Sequence, residues 1–407
     1  MKELDVLVIG AGAAGCFAAI QAAENFKHAK IAILERSSKP LAKVKISGGG
    51  RCNVTNVISD PEELSKHYPR GERFLKKAFY QFSSSDMKAW LESRNVPLKL
   101  YPDGCYFPVS NDSQTIIDCF LGELKHNGVQ LMLNQRVESV KKLESGLFEV
   151  KTPDDTFHAK AVIVTTGGQP KISGFDLLKD LKLKIVPPVP SLFTFNMPDE
   201  PIKELMGIVQ ENAIVKIVGE KWTSNGPLLI THWGMSGPAV LKSSAFGARI
   251  LEVKDYRSLI SVNWTGEESQ EAVRETISEF VKSNKLVINT PLYALKSRLW
   301  TYLIEKTGIP GQFKCSELTA KHQNKLTEVL VNDLYAMQGK TTFKEEFVTA
   351  GGVDLNEVNV QTMEAKKIPG LFFAGETLDI DGVTGGFNFQ AAWTTAAIAG
   401  RNVLQNK

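Results

Sequence analysis

Three glycines near the start of the chain have the spacing that brings a backbone close to a phosphate. Gly10, Gly12 and Gly15 follow the apolar run 5–9, and Glu35 ends the next apolar run. Between a strand and a helix, the first glycine permits a tight turn, the second lets the backbone approach a pyrophosphate and the third allows close packing, while the acid can bind a ribose. We therefore predict a dinucleotide site. Its contacts in this part of the chain are expected at Gly10, Gly12, Ala13, Ala14, Gly15, Glu35 and Arg36.

A glycine-rich turn near the end of the chain indicates which dinucleotide this is. The apolar run 371–374 leads to Glu376 and then to Gly385 and Gly386, and a helix is expected from about residue 389. FAD carries a ribitol and a ring system beyond the pyrophosphate. Glu376 can bind hydroxyl groups, the two glycines leave room for the ring, and a helix N-terminus would stabilise negative charge on the reduced ring. The FAD contacts expected here are Gly375, Glu376, Asp381, Gly385, Gly386, Asn388 and Phe389.

The segment 47–56 contains three successive glycines, which indicates backbone held against a ligand. Arg51 can neutralise a phosphate. Cys52 has no partner cysteine and no adjacent base, so we interpret it as structural, with a reactive thiol as the alternative. The contacts expected in this segment are Ser47, Gly49, Gly50, Arg51, Cys52 and Asn53.

Another glycine pair follows the apolar run 161–165. It is similar to the segment that crosses near the dinucleotide in flavoproteins with two dinucleotide-binding motifs, and the alternative is a plain turn at the end of a strand. The contacts expected here are Thr166, Gly167 and Gly168.

One histidine is a candidate acid or base. His232 lies in the segment 231–238 and could transfer protons at the flavin, although such a histidine is more often a structural residue. A metal site is not expected, because the six histidines lack ligand spacing and the five cysteines include no C-x-x-C pair. The odd number of cysteines also argues against a disulfide framework.

The elements that would position these residues follow from hydrophobic periodicity and from turn residues. Strands are predicted at residues 5–9, 30–34, 130–133, 137–142, 147–151, 161–165 and 371–374. Helices are predicted at 16–25, 74–94, 113–126, 267–284, 291–306, 316–337 and 389–404. β-structure is also expected to dominate 191–264 and to return at 341–348.

The first and last segments share the order strand, glycines, helix, so the simplest architecture is one nucleotide domain built from both ends of the chain. A cluster of prolines at 187–190 marks a boundary. We predict an α/β fold whose Rossmann-like FAD-binding domain, of the two-dinucleotide-binding type, comprises residues 1–188 and 342–407. A β-rich insertion is expected at 189–266 and 339–341, and a helical insertion at 267–338.

Bulk composition limits the class of protein. The chain has 407 residues, of which 43% are hydrophobic and 23% charged, and its net charge is +3. So small a charge gives no electrostatic sign of a nucleic-acid binder, and we expect a small-molecule substrate. The apolar runs are too short for a membrane span, and the first residues do not form a signal peptide. We therefore expect a cytoplasmic protein, and its oligomeric state is open.

The motifs together resemble a known group of proteins. The chain is similar to bacterial FAD-dependent oxidoreductases of the aminoacetone oxidase family, within the fumarate reductase and succinate dehydrogenase flavoprotein-like group, in segments 8–15, 46–56, 231–238, 349–353, 373–376 and 381–388. The resemblance implies a two-part FAD domain, a β-barrel-like and helical insertion, and a backbone contact to adenine near Val137. Cys105 stands where members commonly carry arginine, and the resemblance does not define a substrate.

The leading functional hypothesis is a flavin-dependent oxidoreductase. It would either oxidise a small amine or alcohol with oxygen, or use NAD(P)H to reduce an activated double bond. Because no second G-x-G-x-x-G motif lies between a strand and a helix, NAD(P)H would bind only transiently. The alternatives are a flavin-dependent RNA-modifying enzyme and a non-catalytic flavin-binding protein.

Overall fold

The computed structural model describes residues 2–267, 269–341 and 348–405. The chain divides into two compact units. The first comprises Met1–Ser191 and Lys344–Lys407, and the second comprises Leu192–Phe343. The first unit is therefore built from both ends of the chain. The boundary predicted at residue 342 lies outside the described residues.

The strands are β1 (Lys2–Ile9), β2 (Ile31–Leu34), β3 (Thr55–Asn56), β4 (Leu98–Leu100), β5 (Cys105–Pro108), β6 (Gln130–Met132), β7 (Ser139–Lys142), β8 (Phe148–Lys151), β9 (Thr156–Val164), β10 (Ile185–Ser191), β11 (Thr194–Asn196), β12 (Val209–Ile217), β13 (Ser224–Thr231), β14 (Gly234–Ser236), β15 (Arg257–Asn263), β16 (Asp333–Gln338), β17 (Lys340–Thr341), β18 (Val348–Val353) and β19 (Leu371–Phe373).

The α-helices are α1 (Ala13–Asn25), α2 (Ala42–Gly50), α3 (Pro61–Ser65), α4 (Glu72–Phe79), α5 (Ser84–Glu92), α6 (Ser113–His126), α7 (Pro238–Val253), α8 (Gln270–Phe280), α9 (Ser297–Thr307), α10 (Ala320–Val331) and α11 (Phe387–Asn402). Short 3-10 segments lie at Ile172–Leu181, Pro201–Leu205, Val287–Asn289, Cys315–Glu317, Leu355–Glu357 and Gly375–Thr377.

The first unit is organised around a mainly parallel sheet. β1 pairs in parallel with β2 and β9, β6 extends the sheet beyond β2, and β19 pairs in parallel with β9. The β7–β8 hairpin adds antiparallel strands at the other edge. All four residues of β2 are buried, as expected for a parallel strand covered on both faces. The predicted Rossmann-like α/β fold is thereby confirmed.

Helices α1 and α11 approach each other closely at Gly400. A Cβ atom on Gly400 would lie 2.4 Å from the carbonyl oxygen of Ala18 and 3.0 Å from the amide nitrogen of Ala22. The first helix and the last helix of the chain thus share one interface. This packing brings the two glycine-rich segments, which the sequence places at opposite ends of the chain, into the same unit.

The second unit contains a seven-stranded antiparallel sheet in the order β16-β15-β12-β13-β14-β11-β17. Its two edge strands, β16 and β17, are joined by the single residue Gly339. The Gly339 amide donates to the Tyr256 carbonyl (2.8 Å), and its carbonyl accepts from the Asn196 amide (3.0 Å). The sheet therefore curves until its edges meet, as in the β-barrel-like insertion that the resemblance implied.

Several predicted elements differ from those observed. The helix predicted at 74–94 is two helices, because Ser83 and Asp86 form a capping box that starts α5. The segment predicted to be β-rich includes the helix α7, and the helix predicted at 316–337 ends at Val331 and is followed by β16. Of the β-structure predicted at 341–348, residues 342–347 lie outside the described residues.

Candidate dinucleotide-binding site

The three glycines between β1 and α1 have different surroundings. A Cβ atom on Gly10 would lie 2.6 Å from the Thr165 carbonyl oxygen, and one on Gly15 would lie 1.8 Å from the Gly10 carbonyl oxygen. A Cβ atom on Gly12 would have no described atom within 4 Å. Gly10 and Gly15 are therefore required by the packing of the chain, whereas Gly12 opens onto free space at the start of a helix.

The start of α1 has the donors that a phosphate needs. Gly12 is the residue before the helix, and no side chain of the described chain caps the helix there. The first N–H groups of a helix have no partner within it, and the helix dipole adds positive charge. Ala13 begins α1, and Ala14 lies against Gly375, whose added Cβ would be 2.8 Å from the Ala14 Cβ. These positions fit a pyrophosphate held by backbone N–H groups.

Glu35 fastens the glycine turn to the end of β2. Its Oε2 accepts from the Ala11 amide at 2.8 Å, and its Oε1 accepts from the amide and hydroxyl of Ser37 at 2.9 and 2.8 Å. A carboxylate has about four acceptor sites, so Oε2 can still accept from a ribose hydroxyl. The neighbouring Arg36 is exposed.

The segment after β6 approaches the same place. The Gln135 amide donates to the Glu35 carbonyl at 2.7 Å. Val137, which follows two residues later, is half-buried in the loop before β7. This loop lies beside Glu35, the acid predicted to bind the ribose, where the resemblance expects the adenine.

The triple-glycine segment interrupts α2. Ser47, Gly48 and Gly49 leave helical geometry, and the φ angles of the glycines at 48, 49 and 50 are 56°, 68° and 82°. Gly48 packs closely, since an added Cβ would lie 3.0 Å from the ring of Phe107, whereas Gly49 and Gly50 have no described atom within 4 Å of such a Cβ. The backbone of this loop is thus in the left-handed region, which favours glycine, and no side chain covers it at Gly49 and Gly50.

The three residues after the glycines have distinct environments. The Arg51 guanidinium lies over the Phe107 ring, 4.4 Å from its centroid, and its Nε donates to the Gly48 carbonyl at 3.2 Å. Cys52 is buried, and burial raises the pKa of its thiol to about 12. The thiol is therefore protonated and covered, which supports a structural role. With its side-chain amide oriented to satisfy both neighbours, Asn53 donates to the Thr55 carbonyl and accepts from the Gly386 amide, both at 3.1 Å.

The glycine pair after β9 meets the strand-end acid near the C-terminus. The Gly167 amide donates to the Thr377 hydroxyl at 3.2 Å, and the Thr166 hydroxyl lies 3.4 Å from the same oxygen. A Cβ atom on Gly168 would lie 2.7 Å from Oε1 of Glu376. An added Cβ on Gly167 would have no described atom within 4 Å. Gly168 thus lies close against the Glu376 carboxylate, and Gly167 is open to a ligand.

Glu376 is held by a lysine that the sequence did not single out. Its Oε2 lies 2.9 Å from Nζ of Lys43, and its Oε1 accepts from the Thr349 amide at 3.0 Å. The buried Thr349 hydroxyl has no hydrogen-bond partner among the described residues. A charged carboxylate beside an unsatisfied hydroxyl is a set of groups that can bind ribitol hydroxyls.

Asp381 is buried against two residues that sequence reasoning missed. Its carboxylate accepts from the Arg70 guanidinium and from the Ser191 hydroxyl, the latter at 2.6 Å. Burial raises the pKa of this carboxyl, and Arg70 opposes the rise. Since the carboxylate is occupied by protein partners, any FAD contact at Asp381 would involve its backbone. No sequence pattern could have paired residues 311 positions apart.

Close contacts within the chain explain why glycine stands at the two positions before α11. A Cβ atom on Gly386 would lie 2.7 Å from the Thr55 carbonyl carbon, and one on Gly385 would lie 2.7 Å from the Phe387 ring. The chain itself fills the space on the Cβ side of both glycines, and the expectation that Gly385 and Gly386 leave room for the flavin ring stays a prediction. Asn388 closes the turn through two hydrogen bonds of 2.8 Å with the Gly382 backbone.

The end of this turn carries the start of the last helix. α11 begins directly after Gly386, and within the described chain no side chain caps it. Phe389 is half-buried and stacks on Trp393, with ring centroids 5.6 Å apart. The helix start and the Phe389 ring remain predicted flavin contacts.

His232 lies in the second unit, on the exposed turn between β13 and β14. Its ring packs edge-on against Trp233, with centroids 4.4 Å apart. Gly234 in the same segment has a φ of 149°, and an added Cβ would lie 2.2 Å from the Phe195 carbonyl oxygen. The glycine of this motif is thus required by strand packing, and a catalytic role for His232 remains a prediction.

The described residues contain no cluster of three or more His, Cys, Asp or Glu side chains that could hold a metal ion. No helix in that part of the chain is long and apolar enough to cross a membrane.

Comparisons with known proteins agree with this geometry. The family described as HI0933-like protein Rossmann domain matches residues 4–402. A ribosomal RNA dihydrouridine synthase of Escherichia coli is 29% identical over 416 residues and covers 100% of both chains. A 3-dehydro-bile acid delta(4,6)-reductase of Clostridium scindens is 27% identical over 405 residues and 97% of each chain.

A solved structure shows the fold at lower identity. The open conformation of a flavocytochrome c3 fumarate reductase has a TM-score of 0.51 and 17% identity, over 99% of this chain and 78% of that one. The finer resemblance to aminoacetone oxidases stays a prediction. The chain belongs to the HI0933-like family, and its fold is the FAD-binding Rossmann fold of flavoprotein oxidoreductases.

Proposed function

We propose that this chain is a FAD-dependent reductase that adds hydrogen across a carbon–carbon double bond conjugated with a carbonyl group. The observation that carries the proposal is the chemistry shared by two full-length relatives. The name of the Escherichia coli relative implies a uracil ring hydrogenated beside a carbonyl, and that of the Clostridium scindens relative implies reduction of double bonds conjugated with a 3-oxo group. Their substrates differ, whereas the type of reaction is the same.

The residues of the first unit fit the cofactor that this reaction needs. The uncapped start of α1 at Gly12 would hold the pyrophosphate. The uncapped start of α11, after Gly386, would favour negative charge on the ring system. Glu376, fixed by Lys43, would accept from ribitol hydroxyls. Bound FAD supplies hydride transfer to the substrate carbon.

Addition of hydrogen across a double bond requires a hydride at one carbon and a proton at its neighbour. We assign the electrons to NAD(P)H, bound transiently, and His232 is the candidate proton donor. His232→Ala is expected to leave flavin reduction by NAD(P)H unchanged and to slow only the later step, in which the substrate is reduced. Unchanged rates for both steps would remove His232 from the mechanism.

A pyrimidine within RNA is the second candidate for the substrate. The match to the Escherichia coli relative, whose name refers to ribosomal RNA, covers 100% of both chains. This proposal departs from the expectation of a small-molecule substrate that the net charge gave. Oxidation of a small amine or alcohol by oxygen is the competing reaction that follows from the resemblance to aminoacetone oxidases.

An anaerobic titration of the FAD-reconstituted protein with NADH and with NADPH distinguishes these reactions. A reductase is expected to lose the absorbance of oxidised flavin with one of the two nucleotides. A yellow protein that ignores both nucleotides, but consumes oxygen in the presence of an amine or 2-hydroxy compound, would contradict the proposal. Protein without any bound flavin after reconstitution would contradict the cofactor assignment as well.

A further inference from the structure

The β4–β5 hairpin carries cations and aromatic rings on one face. Lys99 pairs with Phe107 across the hairpin, so their side chains share a face, and Tyr101 lies two residues further along the same chain. Arg51 covers this face from the triple-glycine loop. Phe107 itself is buried. We call the other three residues, Arg51, Lys99 and Tyr101, the hairpin surface.

The two cations of the hairpin surface lie near the same aromatic ring. The Arg51 guanidinium carbon lies 5.6 Å from the centroid of the Tyr101 ring, and Nζ of Lys99 lies 5.4 Å from it. Neither cation forms an ion pair with a carboxylate in the part of the chain that the structure describes. By contrast, the neighbouring Lys45 lies 3.5 Å from Asp112. Two exposed positive charges are therefore available to an anionic partner.

The aromatic part of the hairpin surface is already fixed in place. The Tyr101 hydroxyl donates to Oδ1 of Asn111 at 2.8 Å, and the Tyr101 ring meets the Phe107 ring edge-on, with centroids 5.0 Å apart. The Arg51 guanidinium rests on Phe107, so its outer side faces away from that ring. Bases of single-stranded RNA stack on tyrosine rings and on arginine planes, and their phosphates bind nearby lysine and arginine.

The hairpin surface adjoins the loop that is predicted to hold the flavin. A Cβ atom on Gly48 would lie 3.0 Å from the Phe107 ring, and the next two glycines, Gly49 and Gly50, are open. We infer that the hairpin surface binds a single-stranded or looped segment of RNA and thereby presents a pyrimidine to the flavin. This inference rests on the proposed function and names the partner that delivers its substrate.

RNA is favoured over a small anionic substrate by the form of the surface. One carboxylate needs a single bidentate arginine. Here, two cations and a stacking ring lie side by side, as in surfaces that bind successive phosphates and bases. The net charge of +3 is a sum over the whole chain and does not reveal such a local arrangement.

The test measures binding of a fluorescent RNA stem-loop with an oligouridine loop to the oxidised FAD-loaded protein, by anisotropy over a range of salt concentrations. The variants are Lys99→Ala and Tyr101→Ala, with Lys99→Arg and Tyr101→Phe as conservative partners. Lys27→Ala removes an equal charge from an exposed position after α1 and is the matched control. FAD content and the flavin spectrum of each variant report whether it folds.

We expect Lys99→Ala to reduce the slope of log K against log salt by about 0.7. We expect Tyr101→Ala to weaken binding by about tenfold, because one base loses its stacking partner. The conservative variants and Lys27→Ala should bind as the wild type does. All variants should retain full FAD content.

Two results would overturn the inference: no binding of the probe by the wild type at low salt, or equal binding of the probe by Lys99→Ala, Tyr101→Ala and the control. Binding is measured without turnover, so the outcome is independent of the proposed reaction. A protein that binds RNA through the hairpin surface but reduces no double bond would refute the proposed function alone.

Discussion

Replacement of Gly12 by valine should remove FAD while leaving the fold intact. Gly12 has φ −80° and ψ −169°, an extended conformation that valine adopts, and an added Cβ has no described atom within 4 Å. Valine is worse than glycine before a helix by about 1 kcal/mol, and the loss of a glycine stabilises the folded state by about 0.4–1 kcal/mol. The free energy of unfolding should therefore change by less than about 1 kcal/mol.

The effect on FAD should be much larger. The valine side chain would occupy the space between the start of α1 and the pyrophosphate. Hydrogen bonds to charged groups contribute about 1.5–3 kcal/mol each, so the loss of two costs about 3–6 kcal/mol. This corresponds to an increase of about 10²- to 10⁴-fold in the Kd for FAD.

The assay compares FAD content, the Kd for FAD and urea unfolding of the apoprotein. Gly122→Val is the matched control, because Gly122 is exposed in α6 and an added Cβ there also has no described atom within 4 Å. Gly15→Ala should instead unfold the protein, since its Cβ would meet the Gly10 carbonyl oxygen. A yellow Gly12→Val protein with full FAD content would refute the placement of the cofactor. An unfolded Gly12→Val protein would refute the claim that the fold has room for a side chain at this position.

Three further predictions follow from buried and titratable groups. Arg70→Met should destabilise the protein by about 3–5 kcal/mol in urea unfolding, because it leaves the buried Asp381 carboxylate unpaired; a loss below about 1 kcal/mol would contradict this. Lys184 donates to Asp354 and lowers the pKa of that carboxyl below its ordinary value of 3.8. The pair therefore stabilises the fold at any pH above 3.8, and this stabilisation is lost as the pH falls through the lowered pKa of Asp354. The Tm difference between the wild type and Lys184→Ala should therefore be present at neutral pH and vanish in acid. A Tm difference that grows in acid would contradict the predicted direction of the pH dependence. Cys52, with a pKa of about 12, should resist iodoacetamide at pH 8 in the native protein and react on unfolding, as intact mass would report; rapid native labelling would contradict its burial.

The parts of the fold that local sequence determines were predictable. The prediction of a strand, a glycine turn and a helix at Gly10, Gly12 and Gly15 is confirmed, because β1 ends at Ile9 and α1 begins at Ala13. Turn glycines and apolar periodicity act over a few residues, so a single sequence contains the information. The capping box that divides the helix predicted at 74–94 is also a local feature, since Ser83 and Asp86 are three residues apart.

Contacts between distant segments were not predictable. Gly386 is glycine because the Thr55 backbone approaches it, and Asp381 is buried because Arg70 pairs with it. The spacing of neighbouring residues indicates neither of these two contacts, because each depends on how α11 and β19 pack in the first unit. The pairing of Lys43 with Glu376 is of the same kind, since the partners are 333 positions apart.

The most direct test of the proposed reductase activity is a single turnover under anaerobic conditions. The protein is reduced, freed of excess reductant and mixed with a 3-oxo steroid that has conjugated double bonds, or with a uridine-containing RNA. The proposal predicts that the absorbance of oxidised flavin returns and that an equimolar product appears with two added hydrogens. Flavin that stays reduced with both substrates, but is reoxidised at once by oxygen, would contradict the proposed activity and favour an oxidase.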